Sequence, residues 1–367
     1  MKILMIVTTP FVLEKGSSLR VLHIVKILAA AGHKIDVLTY PVGADVKIKN
    51  VRVIRVKTSY KKTSPGPSLN KIFADIAVLR QARRFLRKNQ YDVIHGEDTE
   101  GGFIAALLGK KHGIRTAYDM HNLMSAQMRL HKWYPLIPLG KFIENYLLTN
   151  AELIITNWEG LEKKVKERYP KKKTVLLFDA VSSGTKAPQM RLPKKYILYS
   201  GNFERYQGLE LLIRAYTRAG IEAKLVLIGQ PRDYIKRLIQ RLGLGKKVII
   251  TGKLTVEETN YSIQQSLFCV IPRVHGRQPS MKIIHYFQNH KTILATDIAC
   301  NHELMLHGKN ALLAKPEVEV FAKAMNKLST DGKLRERLEK GVLEVLPKIS
   351  QEVGAKRLVT AYTALKS

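Results

Sequence analysis

A chain of 367 residues has room for two ordinary domains, and 45% apolar residues with only 7% aromatic exclude a disordered polymer and suit an α/β protein. Its 62 Lys and Arg against 30 Asp and Glu give a formal charge of +32, which favours polyanions such as nucleic acid, anionic lipid headgroups or phosphorylated ligands. The excess is spread evenly, with 32 basic against 15 acidic residues up to position 190 and 30 against 15 beyond it, so neither half is a dedicated basic module.

In chain order, KILMIV at Lys2 reads as a strand, SLRVLHIVKILAAAGH as a helix, and KIDVLTY and VRVIRV as two further strands. The opening MKILMIVTTP is too short and too strand-like for a secretory signal, and no apolar run approaches the roughly 20 residues needed to cross a bilayer. A cytoplasmic protein is expected. The first loop, TTPFVLEKGSSLR, holds one glycine rather than the GxGxxG spacing of dinucleotide folds, which disfavours a nicotinamide enzyme.

From Arg52 to Lys88 eleven basic residues face the single acid Asp75. Within that stretch a helix is expected with Ser68 as N-cap and an apolar stripe of Leu69, Ile72, Phe73, Ile76, Leu79 and Leu86, leaving Arg80, Arg83, Arg84 and Arg87 on the other face. The helix is expected to cover a sheet with its arginines in water, and a sharper reading offers those arginines to an anionic membrane surface at the inner face; the two are compatible if only the arginines touch lipid.

YDVIHG and RTAYDM follow as strands, then a helix through FIENYLL and the strand ELIIT. In GEDTEG, Asp98 and Glu100 lie at a strand end, fit either to orient an acceptor hydroxyl or to cap the next helix. Small, polar and proline residues between Val181 and Pro193 interrupt the pattern, and a second series begins: KYILYSG, AKLVLIG, KVIITG, LFCVIP, TILATD and ALLA. Strands alternating with helices mean right-handed crossovers and parallel sheets, so the fold class is α/β, with two doubly wound Rossmann-like domains at 1–183 and 192–350 facing across a cleft; the last helix, 351–366, could pack back on the first. Cys269 and Cys300 lack the spacing of a zinc site or a disulfide framework and read as packing thiols.

Two glycine-bearing stretches, SGNFERYQG from Ser200 and PRVHGRQPSMKIIHYFQ from Pro272, each carry a strand into a helix through a tight loop. Such turns present backbone N–H groups, and two of them favour a phosphate-rich ligand.

With these motifs in order along both halves, the chain resembles glycosyltransferase family 4, the retaining enzymes of GT-B fold, and in particular the branch with NFE.YQG and PR..G motifs. The resemblance runs from the loop at Gly16 through YDVIHG and AYDMHN to the region of Asp297. It implies a hexosyl-type transfer from a nucleotide-sugar, a co-substrate rather than a cofactor, to a glycan or lipid-linked acceptor, without metal. The leaving diphosphate would itself help deprotonate the acceptor on the same face.

Carried over residue by residue, the resemblance makes His121, Arg273 and Lys282 the catalytic candidates. It puts Gly201, Asn202, Arg205, Gln207, Gly208, Gly276, Ser280, Met281 and His285 at the donor and Gly16, Ser17 and Ser18 at the acceptor. Arg205 and Arg273 could instead serve in surface or fold-stabilising ion pairs, His285 as an inter-helix residue, His121 in packing, and the two serines as helix caps. Many members carry Arg and Lys where this chain has Asn202 and Gln207, and two glutamates where it has Arg277 and His285. These departures leave a second reading, a non-catalytic scaffold or partner protein. Aromatic residues are not interleaved with the basic ones, so no nucleic acid partner is expected.

Overall fold

The computed structural model describes residues 1–12, 16–58, 69–130, 133–179, 191–276 and 278–366, apart from the side chains at 16, 17, 69, 70 and 130. Ser68 and Arg277 therefore lie outside the described residues, as does the side chain of Ser17. The chain divides into two units, Met1–Ala180 with Gln351–Ser367, and Val181–Ser350.

In the first unit the elements are β1 (Lys2–Val7), α1 (Gly16–Ala30), β2 (Lys34–Thr39), β3 (Val51–Arg55), α2 (Leu69–Lys88), β4 (Val93–Glu97) and α3 (Asp98–His112). They continue through β5 (Arg115–Met120), α4 (Met124–Leu130), α5 (Ile137–Asn150), β6 (Leu153–Thr156), α6 (Glu159–Arg168) and β7 (Lys173–Leu176). The sheet order is β3-β2-β1-β4-β5-β6-β7, with every pair parallel. Strand β7 is absent from the sequence reading, because four residues that begin on the last of three consecutive lysines carry no alternation to detect.

The second unit holds β8 (Tyr196–Ser200), α7 (Leu209–Ala219), β9 (Lys224–Ile228), α8 (Asp233–Arg241), β10 (Val248–Gly252) and α9 (Val256–Gln265). After these come β11 (Cys269–Ile271), α10 (Met281–Gln288), β12 (Ile293–Thr296), β13 (Ala311–Ala314), α11 (Val318–Thr330) and α12 (Gly332–Val345). This sheet is also parallel, in the order β10-β9-β8-β11-β12-β13. Both thiols are buried, Cys269 within β11. The last helix, α13 (Gln351–Thr363), returns to the first unit and buries Leu358 and Tyr362 among α1, β1 and β5 side chains.

The two faces of the first sheet are covered differently. Ile3, Met5, Val7 and Val93 pack with α1 and α13, whereas Leu4, Ile6 and Ile94 pack with α2 and α3. The structure corrects the expected stripe of α2. Its fully buried residues are Ala74, Val78 and Ala82, with Leu79, Phe85 and Leu86 partly buried, while Ile72 and Phe73 are 55% and 67% exposed and Ile76 is also exposed. Small residues at fourfold spacing let the helix approach the sheet closely, which a reading weighted toward large apolar side chains misses. The outer face therefore carries Ile72, Phe73 and Ile76 in its first two turns and Arg80, Arg83, Arg84 and Arg87 beyond them, in one continuous stripe. No helix among the described residues is long and apolar enough to cross a membrane.

Candidate functional site

In the second unit the strand order reverses direction at β8, whose neighbours β9 and β11 lead to opposite edges of the sheet. Ligands of open α/β sheets bind at such a switch point, beyond the strand carboxyl ends. The loops that follow β8 and β11 are the two glycine-bearing stretches, and they touch. Gly208 has φ +73°, and a Cβ there would sit 1.8 Å from the Pro272 carbonyl oxygen. The Val274 N–H donates to the Tyr206 carbonyl at 3.1 Å, completing the junction.

Lys282 lies in the first turn of α10, behind Ser280, which caps the helix by accepting from the Lys282 N–H. Although the side chain keeps some surface, its ammonium is enclosed. It donates to Gln207 Oε1 at 2.7 Å, lies 5.0 Å from the centre of the Tyr199 ring, and would be 2.9 Å from a Cβ at Gly201. Burial, with the Arg273 charge nearby, pushes its pKa down to about 7. Arg273 is braced by the His275 and Gln278 carbonyls, at 2.7 and 2.9 Å, and stacks over Tyr206. Gly276 leaves room for that guanidinium, since a Cβ there would meet the Arg273 Cζ at 2.4 Å. Among the described residues neither Lys282 nor Arg273 forms an ion pair with a carboxylate. Two positive charges, a helix N-terminus and two backbone-exposing turns thus share one end of the sheet, an arrangement suited to a diphosphate.

The other donor candidates divide. Gln207 is buried and anchors Lys282. Asn202 shapes its own loop, accepting from Tyr199 through its carbonyl and from the Glu204 N–H through its side chain. Arg205 stacks over Tyr234 at 4.9 Å. Met281 is 37% exposed at the start of α10. His285 joins α10 to α9, with its Nε2 2.6 Å from Asn260 Oδ1, and burial pushes its pKa down to about 4, so it is neutral. That contact is the inter-helix one of the two arrangements open in the sequence.

In the first unit the polar cluster lies where β4 and β5 end, beside the β1/β4 switch point. Glu97 and Asp119 are paired in register on neighbouring strands, and both are fully buried. Two carboxylates side by side out of water require cations. Arg20 of α1 supplies one, donating from Nη2 and Nε to the two Asp119 oxygens at 2.7 and 2.8 Å and from Nη1 to Asp179 at 3.0 Å. His121 supplies the other, with Nε2 2.8 Å from Glu97 Oε1 and 3.4 Å from Asp119 Oδ2. Burial opposes the charge on His121, but Glu97 and Asp119 override it and hold the imidazole pKa well above its ordinary value. Burial also opposes the Asp119 charge, yet Arg20 keeps that carboxyl well below the usual range. Glu97 is raised by burial and by Asp119. Behind Glu97, two residues earlier on the same face, His95 takes a short contact from the Tyr362 hydroxyl through its Nδ1.

The sequence singles out His121 but not the groups that surround it here, Glu97, Asp119, Arg20, His95 and Tyr362. The one signal available was the alternation of polar side chains in HGE and YDMH, which places charge on the inner face of an otherwise apolar strand. Asp98 and Glu100, singled out instead, are engaged in helix α3. Asp98 starts it with φ 56° and accepts from the Thr99 N–H, while Glu100 pairs with Lys71. Helix α1 begins at Gly16, so Ser17 and Ser18 fall inside its first turn rather than ahead of it, and Ser18 is buried.

His95, Glu97 and Asp119 are near enough to one another to share an ion, but both Asp119 oxygens already hold the Arg20 guanidinium, whose charge opposes a metal there. A concavity of about 710 Å³ in this unit, lined by Arg115, Arg168, Lys171, Lys172 and Lys173, opens at the amino ends of β5 and β7. It is a basic crevice at the opposite end of the sheet from Glu97.

Comparison with known proteins matches both units. Residues 15–178 fit the glycosyl transferase 4-like domain and residues 185–344 fit glycosyl transferases group 1. An N-acetylgalactosaminyltransferase of Campylobacter jejuni, which acts on a diacetylbacillosaminyl-diphospho-undecaprenol glycan, is 29% identical over 170 residues, 43% of this chain; the chain spans 47% of that relative. An uncharacterized glycosyltransferase of Methanocaldococcus jannaschii is 24% identical over 91% of this chain and 90% of its own. Among solved structures, sucrose-phosphate synthase from Thermosynechococcus elongatus superposes with a TM-score of 0.79 at 20% identity, covering 99% of this chain and 98% of that one. HepE of Anabaena, bound to UDP-glucose, gives 0.71 at 16% identity over 100% of this chain and 98% of that one. With one half matching the glycosyl transferase 4-like model and the other the group 1 model, on two Rossmann-like sheets, the chain is a glycosyltransferase of the GT-B architecture.

Proposed function

We propose that this protein moves a hexose-type sugar from a nucleotide-sugar to a glycan or lipid-linked acceptor with retention of configuration and without a metal. The carrying observation is the Lys282–Arg273 pair. Two cations held at a switch point with no carboxylate among the described residues to pair them disfavour the empty protein, and an entering diphosphate supplies the missing counter-charge. The engagement of Gln207 with Lys282 supports an active site whose contacts are shifted rather than lost. In the first unit, His121 is a charged donor fixed by two carboxylates and supports a role in holding a hydroxyl of the sugar or acceptor. The relative acting on a diphospho-undecaprenol glycan supports a lipid-linked acceptor.

The outer stripe of α2 supports peripheral attachment to an anionic membrane, since exposed Ile72, Phe73 and Ile76 adjoin four arginines on one helix face.

The test is a thermal-shift panel of UDP-, GDP-, ADP- and dTDP-sugars. At least one should raise the melting temperature, and Lys282→Met and Arg273→Met should each abolish the rise. No response to any of the four would overturn the donor reading.

A further inference from the structure

The polar chain of the first unit does not stop at the strands. Tyr362 belongs to α13, the segment that re-enters this unit after the whole of the second, and its buried hydroxyl meets His95 Nδ1. We propose that Tyr362 is a positioning residue for His121: its hydroxyl fixes His95 as the Nε2–H tautomer, which fixes Glu97 as the carboxylate that holds His121. The proposal rests on the reading of His121 as a group of the transfer site.

The Tyr362 hydroxyl is buried and, among the described residues, meets no other hydrogen-bond partner: donating to His95 Nδ1 satisfies its proton, whereas accepting from an Nδ1–H would leave that proton unpaired, so the favoured tautomer carries its ring proton on Nε2. His95 Nε2 and Glu97 Oε2 are both buried without a hydrogen-bond partner and face each other at 3.8 Å. An N–H there meets a carboxylate favourably. The other tautomer would set a lone pair against it and favour protonating Glu97, which would then no longer hold the His121 charge. The remaining charged neighbours are already committed, Arg20 to Asp119 and Asp179, so they cannot take the place of His95 beside Glu97. The Tyr362 ring lies against His95 and His33, at centroid separations of 6.3 and 6.4 Å, so Tyr362→Phe removes the hydroxyl and keeps the packing.

The experiment uses the full chain labelled with nitrogen-15 in histidine, with the His95 and His121 rings assigned through His95→Gln and His121→Asn. Long-range proton–nitrogen spectra at neutral pH should show His95 protonated at Nε2, and Tyr362→Phe should mix its tautomers and displace the His121 signals. Transfer should fall roughly tenfold to a hundredfold in kcat while the donor KM holds, because only orientation is lost. His95→Gln, whose amide donates to Glu97 whatever its neighbour, should leave His121 as in the unchanged protein, with or without Tyr362→Phe. Unchanged His95 and His121 signals in folded Tyr362→Phe overturn the proposal. If that variant fails to fold, displaced His121 signals in His95→Gln alone overturn it. A tautomer change without loss of transfer upholds the lock and refutes instead the role of His121 in the reaction.

Discussion

Lys282 carries the sharpest prediction, because its ordinary pKa near 10.5 has been brought to about 7 by an enclosure to which no described residue contributes an anion. A bound diphosphate restores the charge. Binding above neutrality therefore takes up a proton, and the apparent Kd should grow as the free protein loses its ammonium, by about twofold at pH 7, tenfold at pH 8 and a hundredfold at pH 9. Calorimetry with the best-binding nucleoside diphosphate between pH 7 and 9, in two buffers of different ionisation heat, reads both the Kd and the protons taken up. Work below pH 7 is avoided because the terminal phosphate itself titrates near pH 6. The same displacement bears on stability with a defined sign. A lysine with a lowered folded pKa penalises the fold fully below about pH 7, and the penalty fades as pH rises toward 10.5. Lys282→Met should accordingly bind diphosphate weakly at every pH, lose the pH dependence, and melt higher than the unchanged protein below pH 7. A flat Kd with no proton uptake would refute the reasoning, as would a lower melting temperature for Lys282→Met.

Three further outcomes are expected. Arg20→Met leaves Asp119 and Asp179 buried without their cation and should cost about 3–5 kcal/mol in urea unfolding, part of which Asp119→Asn in the same chain restores. Gly208→Ala forces a side chain into positive φ and onto the Pro272 carbonyl, so it should destabilise by more than about 2 kcal/mol and remove the thermal response to diphosphates; an unchanged response would mean that the two loops need not touch. Replacing Arg80, Arg83, Arg84 and Arg87 by Glu should weaken co-sedimentation with phosphatidylglycerol vesicles by roughly 1 kcal/mol or more per residue, and the uncharged change Phe73→Ser should weaken it without altering its salt dependence. Equal sedimentation of both variants with the unchanged protein would count against a membrane surface on α2.

The sequence alone determined the strands, because an apolar run between turn signals is a local pattern, and KILMIV, RTAYDM and KYILYSG correspond to β1, β5 and β8 almost residue for residue. It also exposed the two phosphate-type loops, whose glycines are needed for backbone reasons that any copy of the motif shares. What it could not supply was orientation. The face that α2 turns inward was decided by how closely Ala74, Val78 and Ala82 let it approach the sheet, and the short β7 by the edge it found beside β6. The charge state of His121 depended on Glu97 standing opposite Asp119, a register between strands some twenty residues apart, and on Arg20 and Tyr362 arriving from either end of the chain. Hydrophobic period is written in neighbours along the chain, whereas the partner of a buried charge is fixed only when distant segments are packed together, because burial is what makes that partner necessary.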